Sequence, residues 1–255
     1  MTIPDAILLF SAALAAGTQN SIAGGGSFFS FPALIFSGVP PIHANATNTV
    51  AIWPGTMASA GAYRKKLPRN ARVLVPLILA SFAGGFLGAH LLVHTPQRTF
   101  MRLIPFLLLG ATLLFAFGRK LIRGITRVEE QGKPSWLALG GVTLAQFFVA
   151  VYGGYFGGGM GILILSILTF LPLGDIHATN GVKALLTSSA NGIAIITFVA
   201  ARLVFWPQAV LMLVGAALGG YGGAHFAQKV DPARVRTFIV CVGFVMSFYF
   251  LWRYH

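Results

Sequence analysis

Carboxylates are nearly missing from this chain. Asp and Glu number five in 255 residues, against eighteen Lys and Arg. Asp5, Glu129, Glu130, Asp175 and Asp231 all fall near expected helix ends or loops, so no buried carboxylate is available to relay protons. A Na⁺ site would have to rely on carbonyls and hydroxyls. Charge of either sign is scarce, at 9% of residues where a soluble domain carries about 25%. With 56% of residues hydrophobic, a large soluble core is excluded and a polytopic membrane protein is expected, with room for about six to eight spans. Cysteine is almost absent: Cys241 stands alone, which rules out a disulfide or a thiolate metal site within one chain. There is no ATP-binding motif, so any drive must come from gradients or a partner. Clustered nucleophile–base pairs, histidine ligand sets and paired carboxylates are also lacking, which counts against an intramembrane enzyme. No cofactor is expected.

What is plentiful is basic charge, glycine and apolar sequence. The formal net charge is +13. In a soluble protein that would suggest nucleic acid. Here Lys and Arg sit in short segments between apolar runs, where they set topology. Arg64, Lys65, Lys66, Arg69 and Arg72 occupy 64–72, and Arg119, Lys120, Arg123, Arg127 and Lys133 occupy 119–135. A cleavable signal peptide is not expected, because Met1 to Asp5 carries no positive side chain and the first apolar run leads into a glycine break.

The organising stretch is Ala16 to Val50, which returns as Val149 to Leu185. Each copy holds a glycine triplet, a short apolar helix, a proline stop, Ile-His-Ala and an Asn/Thr cluster. One continuous helix over 5–36 would be about 48 Å long, too long for a hydrocarbon core of about 30 Å. Two half-depth helices meeting at a polar, glycine-rich tip are expected over 6–36, and a second broken element over 136–171. The alternative is one tilted, kinked span. Full spans are expected at 43–63, 73–93, 100–118, 177–200, 206–228 and 234–252. Broken backbone at lipid depth must be buried in protein or line a cavity. Two such breaks at corresponding places point to a transporter's binding site.

The halves match in order. Ile42-His43-Ala44 answers Ile176-His177-Ala178, Gly84 to His90 answers Gly219 to His225, and Pro96-Gln97-Arg98 answers Pro232-Ala233-Arg234. The expected fold class is an all-α integral membrane protein of two homologous four-segment repeats, each opening with a glycine-broken or re-entrant helix. The first repeat is 1–118, the cytoplasmic linker 119–135 and the second repeat 136–255. The positive-inside rule barely separates inverted from parallel repeats; helix length favours inverted.

These residues resemble the sulfite exporter TauE/SafE transporters. The likeness rests on Gly24-Gly25-Gly26, Pro32 and the run from Pro40-Pro41 through Ala44 to Thr47, then on Gly157-Gly158-Gly159-Met160-Gly161, Ala178, Lys183 and Asn191. It covers nearly the whole chain. It implies a multi-pass carrier of the bacterial inner membrane for small sulfur-containing anions such as sulfite or sulfonates. In the second half Gly181 stands where the pattern has Thr, which implies a site that differs between the halves.

The residue most suggestive of chemistry is Lys183, placed within an apolar helix, where an ionisable residue is a functional hypothesis by default. The alternative is a lysine snorkelling to a nearby surface. Asn180, Lys183, Thr187 and Asn191 share a helix face by spacing and offer a cation with neutral donors. Asn45, Thr47 and Asn48 supply donors without charge in the first half, or else act as interhelical glue. Gly25, Gly26, Gly158 and Gly159 precede short helices, whose free N–H groups favour anions. Gln19, Asn20, Tyr152 and Tyr155 are tip residues that could line the same site. His43 and His177 are candidates for proton coupling, or simple helix-end anchors. Gly84, Gly85, Gly88, Gly215, Gly219 and Gly223 fit close packing better than binding. The function expected is a secondary carrier for a small anion, with an anion channel as the alternative. Expected partners are that anion and the bilayer, with no nucleic acid; a homodimer is left open.

Overall fold

The structure is a computed structural model that describes residues 1–22, 25–68, 70–125, 135–173, 175–226 and 232–254. Among the described residues there is no strand. The helices are α1 Ile3–Ile22, α2 Ser27–Phe36, α3 Pro41–Ala62, α4 Ala71–His94 and α5 Gln97–Ile125 in the first half. The second half holds α6 Trp136–Tyr155, α7 Met160–Leu168, α8 Ile176–Ala200, α9 Trp206–Phe226 and α10 Pro232–Tyr254. Each expected full span is present within a few residues. α5 runs seven residues further than expected, because 119–125 keeps helix-forming Lys, Arg, Leu and Ile.

The broken elements differ from the expectation. α1 does not stop at Gly17 but continues to Ile22, making 20 residues and about 30 Å. α6 is equally long. Only α2, with 10 residues, and α7, with 9, are too short to cross, at about 14–15 Å. The physical reason lies at Gly17. A methyl there would fall on the Ala216 carbonyl oxygen, so this glycine permits a close approach to α9 and is no helix stop. Thr18 then donates from its hydroxyl to the Gly219 carbonyl at 3.0 Å, which satisfies its polar group within the α1–α9 contact. The true breaks sit where glycine adopts positive φ: Gly25 at 88°, Gly157 at 81° and Gly159 at 74°.

Glycine contacts give the helix directions. Gly84 meets Phe147 and Ala150, Gly88 meets Val151 and Tyr155, and Gly154 meets Gly85 and Ala89, so α4 and α6 run parallel. Gly215 meets Phe10 and Ala13, Gly219 meets Leu14 and Gly17 meets Ala216, so α1 and α9 run parallel as well. These two pairs have the most extensive contacts among the described helices. α3 and α8 run antiparallel: Tyr63 lies on His177 and Gly181, while Trp53 lies on Gly192. Gly220, expected from the sequence to be as intolerant of leucine as Gly85, departs from that expectation: among the described residues a methyl there would meet only the Gly17 oxygen, at 3.8 Å. Gly223 lies where no side-chain description is given.

Three of the described helices are long and apolar enough to cross a membrane by themselves: α4, α6 and α8 from His177. α3 matches them in length, but Asn45, Thr47 and Asn48 break its apolarity. It hides that stripe inside, with those three side chains buried, which answers the cost of unsatisfied polar groups in lipid. Apolar side chains such as Leu79, Phe106, Phe148 and Val210 instead face outward. The interior holds two apolar clusters, one around Leu9, Phe31, Phe100 and Phe198, the other around Leu77, Ile164, Val182 and Leu186. Asp175 caps α8, its carboxylate accepting from the Ala178 amide at 2.7 Å. That bond holds its carboxyl below the usual range.

Candidate functional site

The expected site residues fall into two groups, one toward the start of α3 and one in the first half of the antiparallel α8. The first surrounds the α1–α2 break. Asn20 accepts from the Gly26 amide at 2.8 Å. The Ser30 hydroxyl lies 2.5 Å from Asn48 Oδ1 and 3.2 Å from the Gly26 carbonyl. Asn48 also donates to Ser27 Oγ at 3.3 Å. Asn45 donates to the Tyr155 carbonyl at 3.1 Å, tying α3 to the end of α6. Thr47 accepts from the Phe205 amide at 3.0 Å. Gln19 is buried and has a partner.

This first group is therefore largely self-satisfied, and its members hold α1, α2, α3 and α6 together. Backbone donors expected at the glycine break are mostly taken. The Gly26 amide goes to Asn20, and the Phe28 and Phe29 amides donate to the carbonyls of Gly25 and Gly26 at 3.0 Å. At the α7 break the Met160 and Ile162 amides donate to Gly157 and Gly159, and the Tyr152 hydroxyl donates to the Gly158 carbonyl at 2.6 Å. Gly158 and Gly159 lie against Ala111 of α5.

The second group lies on α8 and behaves differently. Lys183 is half-buried seven residues inside the helix. Its stem runs past α7, 3.7 Å from where a Gly161 methyl would stand, so glycine there leaves room for the chain. One turn on, the half-buried Thr187 keeps its hydroxyl oxygen out of water and without a hydrogen-bond partner among the described residues. Among the described residues several buried helix hydroxyls donate back one turn, although Thr143 of α6 does not. Ser81 reaches Leu77, Thr112 reaches Leu108 and Ser247 reaches Gly243. Thr187 does not, although the same bond is open to it. A further turn on, Asn191 is 7% exposed and its Oδ1 is likewise unpartnered. Buried polar groups are ordinarily paired; of the unpartnered buried atoms among the described residues, which also include His43 Nδ1, Gln97 Nε2, Thr143 Oγ1, Gln146 Oε1 and Gln208 Oε1, these two stand in line with a lysine. Asn180, at the start of the same face, has a partner.

Trp53 was not singled out by the sequence. Its indole N–H donates to the Ser188 carbonyl at 3.0 Å, and its ring lies 3.3 Å from where a Gly192 methyl would be. It thus bounds the α8 stripe from the α3 side. Ser27 and Ser30 were also missed, though their place just past the glycine triplet signals them. The coupling candidates lie in the first turns of α3 and α8. His177 is exposed and stacks on Tyr63 at 6.4 Å. His43 is half-buried and meets Phe205 edge-on at 5.3 Å, and its Nδ1 has no hydrogen-bond partner among the described residues.

Comparison with known proteins converges on one group. The family described as "Sulfite exporter TauE/SafE" matches residues 9–250. A "Probable membrane transporter protein ORF9" of Sinorhizobium sp is 31% identical over 240 residues, covering 94% of this chain and 89% of that one. A "Probable membrane transporter protein" of Haemophilus influenzae is 28% identical over 242 residues, covering 94% and 92%. The "Probable membrane transporter protein YfcA" of Escherichia coli K12 is 28% identical over 249 residues, covering 97% and 90%. No solved structure matches.

Proposed function

This chain belongs to the sulfite exporter TauE/SafE family, and on that premise we propose that it is a secondary transporter. It carries a small anion, such as sulfite, an organosulfonate or a related organic acid, across the bacterial inner membrane in which it is a multi-pass protein. The observation that carries this reading is the α8 stripe. Lys183 meets no carboxylate among the described residues, and beyond it the Thr187 hydroxyl oxygen and Asn191 Oδ1 are buried with no hydrogen-bond partner among those residues. An ammonium at that depth is costly unless something negative compensates it. Two orphan side chains one and two turns away can donate to the same guest, since a carboxamide can turn either end toward it.

In this reading Lys183, Thr187 and Asn191 touch the anion, and Asn180 stands at the entrance. Asn20, Asn45, Thr47, Asn48, Gly25 and Gly26 form a holding frame on the other side, with Gln19, Tyr155, Gly158 and Gly159 at its edges. The two halves, 1–118 and 136–255, act as inverted repeats joined through a cytoplasmic linker. The antiparallel course of α3 and α8 supports this, and so does the exchange of partners, α1 with α9 and α6 with α4. His43 and His177, one at each entrance, remain the groups proposed for coupling to protons.

Vesicles holding the purified protein and unlabelled sulfite are expected to take up labelled sulfite by exchange, at a rate that saturates. Unsaturable flux with unitary currents would instead make it a channel, and no flux for sulfite, sulfonates or organic acids would end the proposal. In intact cells carrying single-cysteine variants made in Cys241→Ser, an impermeant thiol reagent should reach Trp252→Cys but not Lys65→Cys. Labelling both alike contradicts inverted repeats.

A further inference from the structure

Charge is the sharpest property of the α8 stripe, and it can be counted. α8 packs against α3, α4, α6 and α7. α7 carries no ionisable side chain, and α6 carries none but its terminal tyrosines, Tyr152 and Tyr155. Tyr152 already donates its proton to Gly158. On α4 the ionisable groups are Arg72 in the first turn and His90 and His94 near the far end. On α3, His43 lies in the first turn, and Arg64 to Lys66 lie beyond its end on exposed positions. Arg102, five residues inside α5, is exposed, and α5 is not among the main partners of α8. Lys183 therefore contributes a single positive charge with no described second cation beside it. The polar residues one and two turns on, Thr187 and Asn191, are neutral.

We propose that this site selects anions by charge number, accepting a monoanion and rejecting a dianion of the same size and shape. The inference rests on the reading of the α8 stripe as the anion site. A monoanion on Lys183 brings the enclosed charge to zero, and the hydroxyl of Thr187 and the amide of Asn191 complete its hydrogen bonding. A dianion leaves one unit of charge uncompensated in a partly dry interior. Burying an unpaired charge costs several kcal/mol even after relaxation, whereas neutral donors return only a fraction of that. The substrate class narrows accordingly to hydrogensulfite, alkyl sulfonates and monocarboxylates. Sulfate and dicarboxylates are excluded.

Methanesulfonate and sulfate make the test, since both are compact tetrahedral sulfur oxyanions that differ by one charge. Ligand-dependent thermal stabilisation of the full-length purified protein, at neutral pH and without Na⁺, is expected to show methanesulfonate binding at least about 100-fold tighter than sulfate. Lys183→Gln should abolish the methanesulfonate effect. Asn191→Lys, which adds a second cation, should shift the preference toward sulfate by at least about tenfold. Equal affinity of the parent for both anions, lost in Lys183→Gln, would overturn charge selection while leaving the site in place. An unchanged preference in folded Asn191→Lys would overturn it too. Binding that survives Lys183→Gln, or no stabilisation by either anion, overturns the inference and the reading of the site together.

Discussion

Lys183→Gln is expected to weaken anion binding by at least about 30-fold while leaving the ligand-free protein as stable as the parent, or more so. Truncating one partner of a buried, hydrogen-bonded charge pair costs about 2–5 kcal/mol. In the ligand-free protein no described carboxylate meets this ammonium, so removing it relieves an uncompensated charge. Glutamine keeps most of the stem that runs beside Gly161 and can still donate to a guest. Lys183→Arg is expected to bind poorly as well, since a planar guanidinium replaces a compact ammonium. The measurement is anion-dependent thermal stabilisation of parent and variants at matched folding. If Lys183→Gln binds the same anion with parental affinity, the lysine only snorkels and the α8 stripe is not the site.

The second large effect concerns stability. Gly88→Leu is expected to cost more than about 3 kcal/mol, beyond the ordinary range for over-packing. Its first side-chain carbon would fall on the Val151 carbonyl oxygen and stand 2.8 Å from the Tyr155 amide nitrogen. Both are backbone atoms of α6, so no rotamer change can relieve the clash. α4 and α6 would have to part along one of their two principal contacts. Gly220→Leu serves as the control and should cost far less, because among the described residues its first side-chain carbon would meet only the Gly17 oxygen, at 3.8 Å. Yield of monodisperse protein and thermal unfolding in detergent would decide. A Gly88→Leu protein as stable as Gly220→Leu would show that these helices are held together elsewhere.

Much of this fold is legible in the sequence, because lipid imposes long apolar runs and closes them with basic loops. The bounds of α3, α4, α8, α9 and α10 follow from that pattern to within a few residues. The glycines are harder to read, because one residue type serves two ends. Gly17 and Gly25 look alike in sequence. Only the presence of Ala216 beside the first and a φ of 88° at the second tell a contact from a break. The helix therefore runs past the glycine, and the first arm of each broken element is full-length while the second, α2 or α7, stays short.

The site shows the same limit. The spacing of Lys183, Thr187 and Asn191 put them on one face. Sequence could not tell that Asn45, Thr47 and Asn48 are already hydrogen-bonded while Thr187 and Asn191 keep buried, unpartnered oxygens. Satisfaction is a property of neighbours brought in from other helices. Trp53 meets α8 across 135 residues of sequence, so no local signal could have placed it.

The most direct measurement is an experimental structure of the protein with methanesulfonate bound. The account predicts the sulfonate within hydrogen-bond distance of Lys183 Nζ and of the Thr187 and Asn191 side chains, with Trp53 on its α3 side. A sulfonate held by Asn45 and Asn48 at the α1–α2 break, with Lys183 turned away from it, would contradict the account.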